Sequence, residues 1–120
     1  MKIEDFDFHG KEFNFGSLAR VMENNGFIHE GQWDYERVTF DYKMLDKSDE
    51  ATYFLRVQAV TIKGEIPKED ATVKLLTPFF GRHYYPHGIE YDEDFPDKVI
   101  NKCKQKIESV YNELVETDQA

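Results

Sequence analysis

Residues 36–63 read ERVTFDYKMLDKSDEATYFLRVQAVTIK. Apolar side chains recur here at every second position. Val38, Phe40, Tyr42 and Met44 share one parity, with Arg37, Thr39, Asp41 and Lys43 on the other. Tyr53, Leu55, Val57 and Ala59 repeat the pattern after the turn DKSDE. A period of two predicts two half-buried strands joined as a hairpin. The register follows from the faces, because a slip of one residue would expose every apolar side chain. Pairing Phe40 with Val57 and Tyr42 with Leu55 keeps the faces matched, sets Asp41 opposite Arg56 and leaves a short loop over 47–50. A two-residue shift would set Lys43 against Arg56, which like charges disfavour.

Beyond Ala59 the alternation breaks, and Val60 and Ile62 take the parity of Arg56 and Gln58. Either a bulge or a sheet apolar on both faces would do this. The Leu75–Leu76 pair in the next strand favours the second reading. With few helices to cover that second face, another copy of the chain becomes a candidate partner.

Outward from the hairpin, ATVKLLTP predicts a strand near 71–77, closed by Pro78. GFIHEGQW predicts one near 27–33, with Trp33 on its apolar parity. Helical periodicity appears near 15–25, where Asn14 stands as N-cap, Phe13 and Leu18 as a hydrophobic staple, and Gly26 as the residue after the helix. It returns near 95–116, with Asp94 as cap and Pro96 in the first turn. There Val99, Ile100, Cys103, Ile107, Val110, Tyr111 and Leu114 make the apolar stripe, and Lys98, Lys102, Lys104, Lys106 and Glu113 a solvated one. The expected fold is α+β: an antiparallel meander of about four strands with both helices packed on it, as one domain over residues 1–120.

The 120 residues suit one core. Acids outnumber bases 24 to 15, which argues against a phosphate backbone or an anionic membrane as partner. No run approaches the roughly 18 apolar residues of a membrane span. The one cysteine, Cys103, excludes an internal disulfide and a cysteine zinc site, and its place on the apolar stripe predicts an inert thiol. The expected compartment is the cytosol.

The densest chemistry lies at 81–92, GRHYYPHGIEYD. His83 and His87 have a spacing that would share a helix face, but Pro86 and Gly88 break any helix there. A paired metal site therefore loses its geometric basis, and no metal or other cofactor is expected. The tyrosines and the turn residues suit a self-packed loop. The same segment offers Arg82, His83, Tyr85, His87 and Glu90 as candidates to bind a small anionic ligand. Asp34 and Glu36 read as solvated carboxylates, and Arg37 and Arg56 as members of surface ion pairs. No phosphate-binding loop, dinucleotide fingerprint or hydrolase motif is present. The favoured function is a non-enzymatic ligand-binding or interaction module, with a homodimer as one form. The alternative is a small metal-dependent or anion-binding enzyme using the 82–92 loop.

The strings GQWDYERVTFDYK, YFLRVQAV, GEIP, ATVKLLTP and GRHYYPHGIEYD, in this order, resemble the YugN-like family of short bacterial proteins. The likeness runs from about Gly26 to Asp92. It implies a single cytosolic α+β domain of a family whose biochemical role is not established, and it carries over no catalytic residue.

Overall fold

The second half of the quoted stretch becomes the spine of the molecule. A computed structural model describes residues 1–29, 36–48, 50–84 and 86–117. In it β3 (Ala51–Lys63) pairs along one side with β2 (Arg37–Asp46). Phe40 lies opposite Val57, Tyr42 opposite Leu55 and Asp41 opposite Arg56, as the matching of faces requires. The last pair, Asp46 with Ala51, bounds the short turn.

The other side of β3 is shared. β4 (Thr72–Leu75) pairs with its end and β5 (Phe79–Tyr84) with its beginning. Between them Leu76 still donates its N–H to Gln58 O, at 2.9 Å. Pro78 thus interrupts a line of pairing rather than ending it. Two short strands extend the sheet: β1 (Glu12–Asn14) beside β4, and β6 (Gly88–Glu90) beside β5. Among the described residues the sheet has six strands, not four, and its order, β1-β4-β3-β5-β6 with β2 on β3, departs from a simple meander. The strand expected near 27–33 is described only as far as His29. There Ile28 makes one antiparallel bridge to Asp41, and Trp33 and Asp34 lie outside the described residues. A register shift between Thr61 and Lys63 supplies the bulge, slightly later than the break in the sequence pattern.

α1 (Phe15–Asn24) ends in Asn25 and Gly26. The N–H of Gly26 bonds Glu23 O and that of Phe27 bonds Met22 O, a Schellman closure that needs the left-handed φ of +87° at Gly26. Asn14 occupies the N-cap position without a side-chain cap bond. α2 (Asp97–Glu116) begins later than its sequence pattern suggests. Its N-cap position is Pro96, whose carbonyl accepts from Val99 and Ile100, so the expected capping by Asp94 is corrected. Proline leaves no N–H to be satisfied there, and no side-chain cap forms.

Both helices lie on one face. Phe15 stacks on Phe40, Cys103 Sγ lies 4.0 Å from Met44 Sδ, and Lys106 sits over the Tyr42 ring. Leu18, Phe40, Leu55, Val57, Phe80 and Ile107 are completely buried between sheet and helices. A polar clamp ties the helices together: Asn25 Nδ2 donates to Glu113 Oε1, and Ser109 Oγ donates to Asn25 Oδ1. The lysine stripe of α2 is more engaged than a solvated face would be, since Lys98 pairs with Asp46 and Lys104 with Asp5.

Candidate functional site

Strand parity sends the other half of each strand to the face turned away from α1 and α2. β3 delivers Phe54 and Arg56 there, β2 delivers Asp41, and β5 delivers Phe79 and His83. The glycine in FFGRHY shapes the rest. A Cβ on Gly81 would stand 2.6 Å from Glu90 O, 2.6 Å from Ile89 Cγ2 and 2.7 Å from Tyr91 Cδ1. Only a missing side chain lets β6 and Tyr91 fold over this part of the face.

Tyr91 is thereby carried to Arg56. The guanidinium donates from Nη1 to Tyr91 Oη at 2.9 Å and from Nε to Asp41 Oδ1 at 2.9 Å. Phe79 meets the Tyr91 ring edge-on at 5.3 Å, and Phe54 meets His83 edge-on at 5.9 Å. Phe54, Arg56, His83, Gly88, Ile89 and Tyr91 line an open depression of about 450 Å³. Asp41 is nearly buried. Burial pushes its carboxyl above the usual carboxylate range, and the charge and hydrogen bond of Arg56 only partly oppose this. This ion pair is not the surface pair expected for Arg56, because its carboxylate side is 11% exposed.

The residues singled out from the sequence are divided by the hairpin. His83 joins the depression. Arg82, its neighbour, takes the opposite parity, with its guanidinium 4.8 Å from the centre of the Tyr84 ring and Glu90 across the ladder. His87 is exposed in the turn, where its N–H bonds Tyr84 O, and Tyr85 lies outside the described residues. Glu90 Oε1 accepts from the N–H of Asp92 at 2.9 Å. Among the described residues no group of three or more His, Cys, Asp and Glu is placed to hold a metal ion. Cys103 is buried, and burial pushes its thiol up to about 12, so it is not nucleophilic at neutral pH.

Sequence reasoning passed over Phe54, Arg56 and Tyr91 as site residues. One signal is in the sequence: matching the apolar faces of the two long strands sets Arg56 opposite Asp41, on the parity turned away from the apolar one.

The sequence profile of the YugN-like family matches residues 5–116. The chain belongs to this family. Over 116 residues it is 39% identical to the "Uncharacterized protein YlbA" of Bacillus subtilis (strain 168), covering 95% of each chain. The "Uncharacterized protein YugN" of the same organism is 30% identical over 81 residues, 68% of this chain and 59% of that one. The crystal structure of the uncharacterized conserved protein YugN from Geobacillus kaustophilus HTA426 superposes with a TM-score of 0.84 at 39% identity, covering 98% of this chain and 96% of that one. The six-stranded sheet with two helices on one face is thus a fold seen experimentally in the YugN-like family. No helix among the described residues is long and apolar enough to cross a membrane.

Proposed function

We propose that the protein is a non-enzymatic binding module that takes a small, flat, anionic ligand on its open sheet face. The observation that carries this reading is the posture of Arg56. Its guanidinium is fixed from two sides by Asp41 and Tyr91, so little side-chain entropy remains to be lost when its other donors engage a carboxylate. Phe54, His83 and Tyr91 supply ring surfaces around it, which suits an aromatic acid. His83 belongs to the depression itself, Arg82, His87 and Glu90 lie along the same hairpin, and Tyr85 is carried as a candidate from the sequence alone.

A titration with benzoate, followed by NMR on the isotope-labelled protein, tests the reading. The side-chain N–H signal of Arg56 and the ring signals of His83 and Tyr91 should move with saturation, and the melting temperature should rise by mass action. The Arg56→Met variant should lose these shifts while keeping its fold. Signals that stay in place under millimolar benzoate would remove the proposal.

A specific feature favours a second occupant of the same face, another copy of the chain. Leu45 and Ile62 lie on the open parity and are 63% and 48% exposed. Light scattering at high protein concentration separates the two, because a strict monomer ends the dimer reading. The proposal includes a cytosolic setting, in which a lone reduced thiol such as Cys103 is at home. Fractionation of the producing cells checks that part.

A further inference from the structure

We infer a second binding site, on the helix-covered side of the molecule: the cavity between the end of β2 and the first two turns of α2 takes a short-chain or single-ring monocarboxylate. The cavity holds about 160 Å³ and is lined by Met44 and Leu45 from β2, Tyr53 from β3, and Val99 from α2. Met44, Tyr53 and Val99 are buried, so its floor is apolar. Its rim is charged. Lys47 stands on the turn after β2, and Lys98 and Lys102 rise from α2 one turn apart.

The size limits the guest. An apolar cavity of roughly 150 Å³ is enough for one benzene ring, so a chain of about four to six carbons or a single ring fits here. The rim sets the charge. Like charges at i and i+4 on a helix repel. Among the described residues one aspartate, Asp46, stands among the three lysines, and it is already committed. Its Oδ2 lies 3.1 Å from Lys98 Nζ, which also donates to Ser48 Oγ at 2.6 Å. Lys47 and Lys102 have no acidic partner among the described residues. The rim therefore carries a net positive charge that one carboxylate, placed with its tail on Met44 and Val99, would offset. A neutral molecule of the same shape gains the apolar contact and not the charge.

This site shares no residue with the Arg56 depression, and the two proposals fail separately. The probe is butyrate, with butyramide as its neutral counterpart. Butyrate should shift the methyl signals of Met44 and Val99 in a saturable way, and butyramide should bind at least about tenfold more weakly, the scale of one charge-assisted hydrogen bond. Lys102→Gln, at an exposed position, should weaken butyrate by a similar factor without loss of fold. Val99→Ile, which narrows the cavity and leaves the charge alone, should weaken it too. Equal shifts from acid and amide, or undiminished binding by Lys102→Gln, would overturn the assignment. In every arm the Arg56 and His83 signals report the other site independently.

Discussion

On one face of the sheet Phe40, Leu55 and Val57 are fully sealed beneath α1 and α2; one residue along in the same strands, Asp41, Phe54 and Arg56 lie on the face turned away from both helices. The composition of the two parities explains the difference. The first is almost wholly apolar, and burying it is favourable by about 25 cal/mol per Å². The second mixes rings with an ion pair and hydroxyl and amide groups such as Thr39 and Gln58. Covering it with a helix would require partners for each of these polar groups. The first face holds the molecule together, and the second is available to meet something else.

The largest expected effect lies on the covered face. Ile107 is completely buried in the α2 stripe, so Ile107→Ala should destabilise by about 2–5 kcal/mol through lost burial and a residual cavity. Denaturant unfolding measures this directly. A loss within the range of surface substitutions, about 0.5 kcal/mol, would mean that α2 does not anchor the sheet as described.

Next comes the residue that shapes the open face. Gly81→Ala forces Glu90 O, Ile89 and Tyr91 away from contacts near 2.6 Å, two of which are to groups with little freedom to move. Overpacking of this kind costs about 1–3 kcal/mol. It should also displace Tyr91 from Arg56, visible as loss of the Tyr91 hydroxyl and Arg56 N–H couplings by NMR. Unchanged couplings would show that the hairpin yields elsewhere.

These two positions also mark what the sequence could and could not reveal. The spine was legible because β2 and β3 are long, alternate cleanly and carry Asp41 and Arg56 as a register check. α2 was legible because apolar side chains recur along one stripe over twenty residues, of which Ile100 and Tyr111 are only partly buried. β1 and β6 are three residues each, too short to express a period. β5 was hidden behind Pro78, which reads as a terminator although pairing along β3 only pauses after Leu75 and resumes at Phe79. The site was half legible. Local density of histidine and tyrosine pointed to 82–92, but strand parity splits Arg82 from His83, and the arginine that organises the depression comes from 26 residues earlier in the chain, at Arg56. Convergence of this kind depends on the close approach that Gly81 permits, and no local pattern announces it.

A smaller effect isolates the polar part of the open face. Tyr91→Phe removes one hydroxyl that accepts from Arg56 in a partly exposed setting. The expected loss is about 1 kcal/mol, in the usual range for a single hydrogen bond. Benzoate binding should fall as well, because Arg56 is then held from one side only. A variant as stable as the parent that binds equally well would show that Asp41 alone positions the guanidinium.

The finest comparison sets two aspartates of the same strand against each other. Asp46 is held by the Ser48 hydroxyl first and by Lys98 second, and its carboxyl is drawn down to about 2. Asp41 is shifted the other way, because burial outweighs Arg56. For Asp46 the folded value lies below the unfolded one, near 3.8. The folded state thus binds the proton more weakly, and its contribution to stability is present above about pH 4 and is lost as pH falls through 2. For Asp41 the folded value lies above the unfolded one. Its contribution is present in acid and is lost as pH rises through the shifted value. Unfolding free energies measured across this acid range should therefore change in opposite senses in the two variants. Asp46→Asn should flatten the loss of stability toward pH 2, and Asp41→Asn should remove a decline that accompanies rising pH through the carboxylate range. If both variants changed the profile in the same direction, the contrast between a carboxylate gripped by its neighbours and one buried against its preference would not hold.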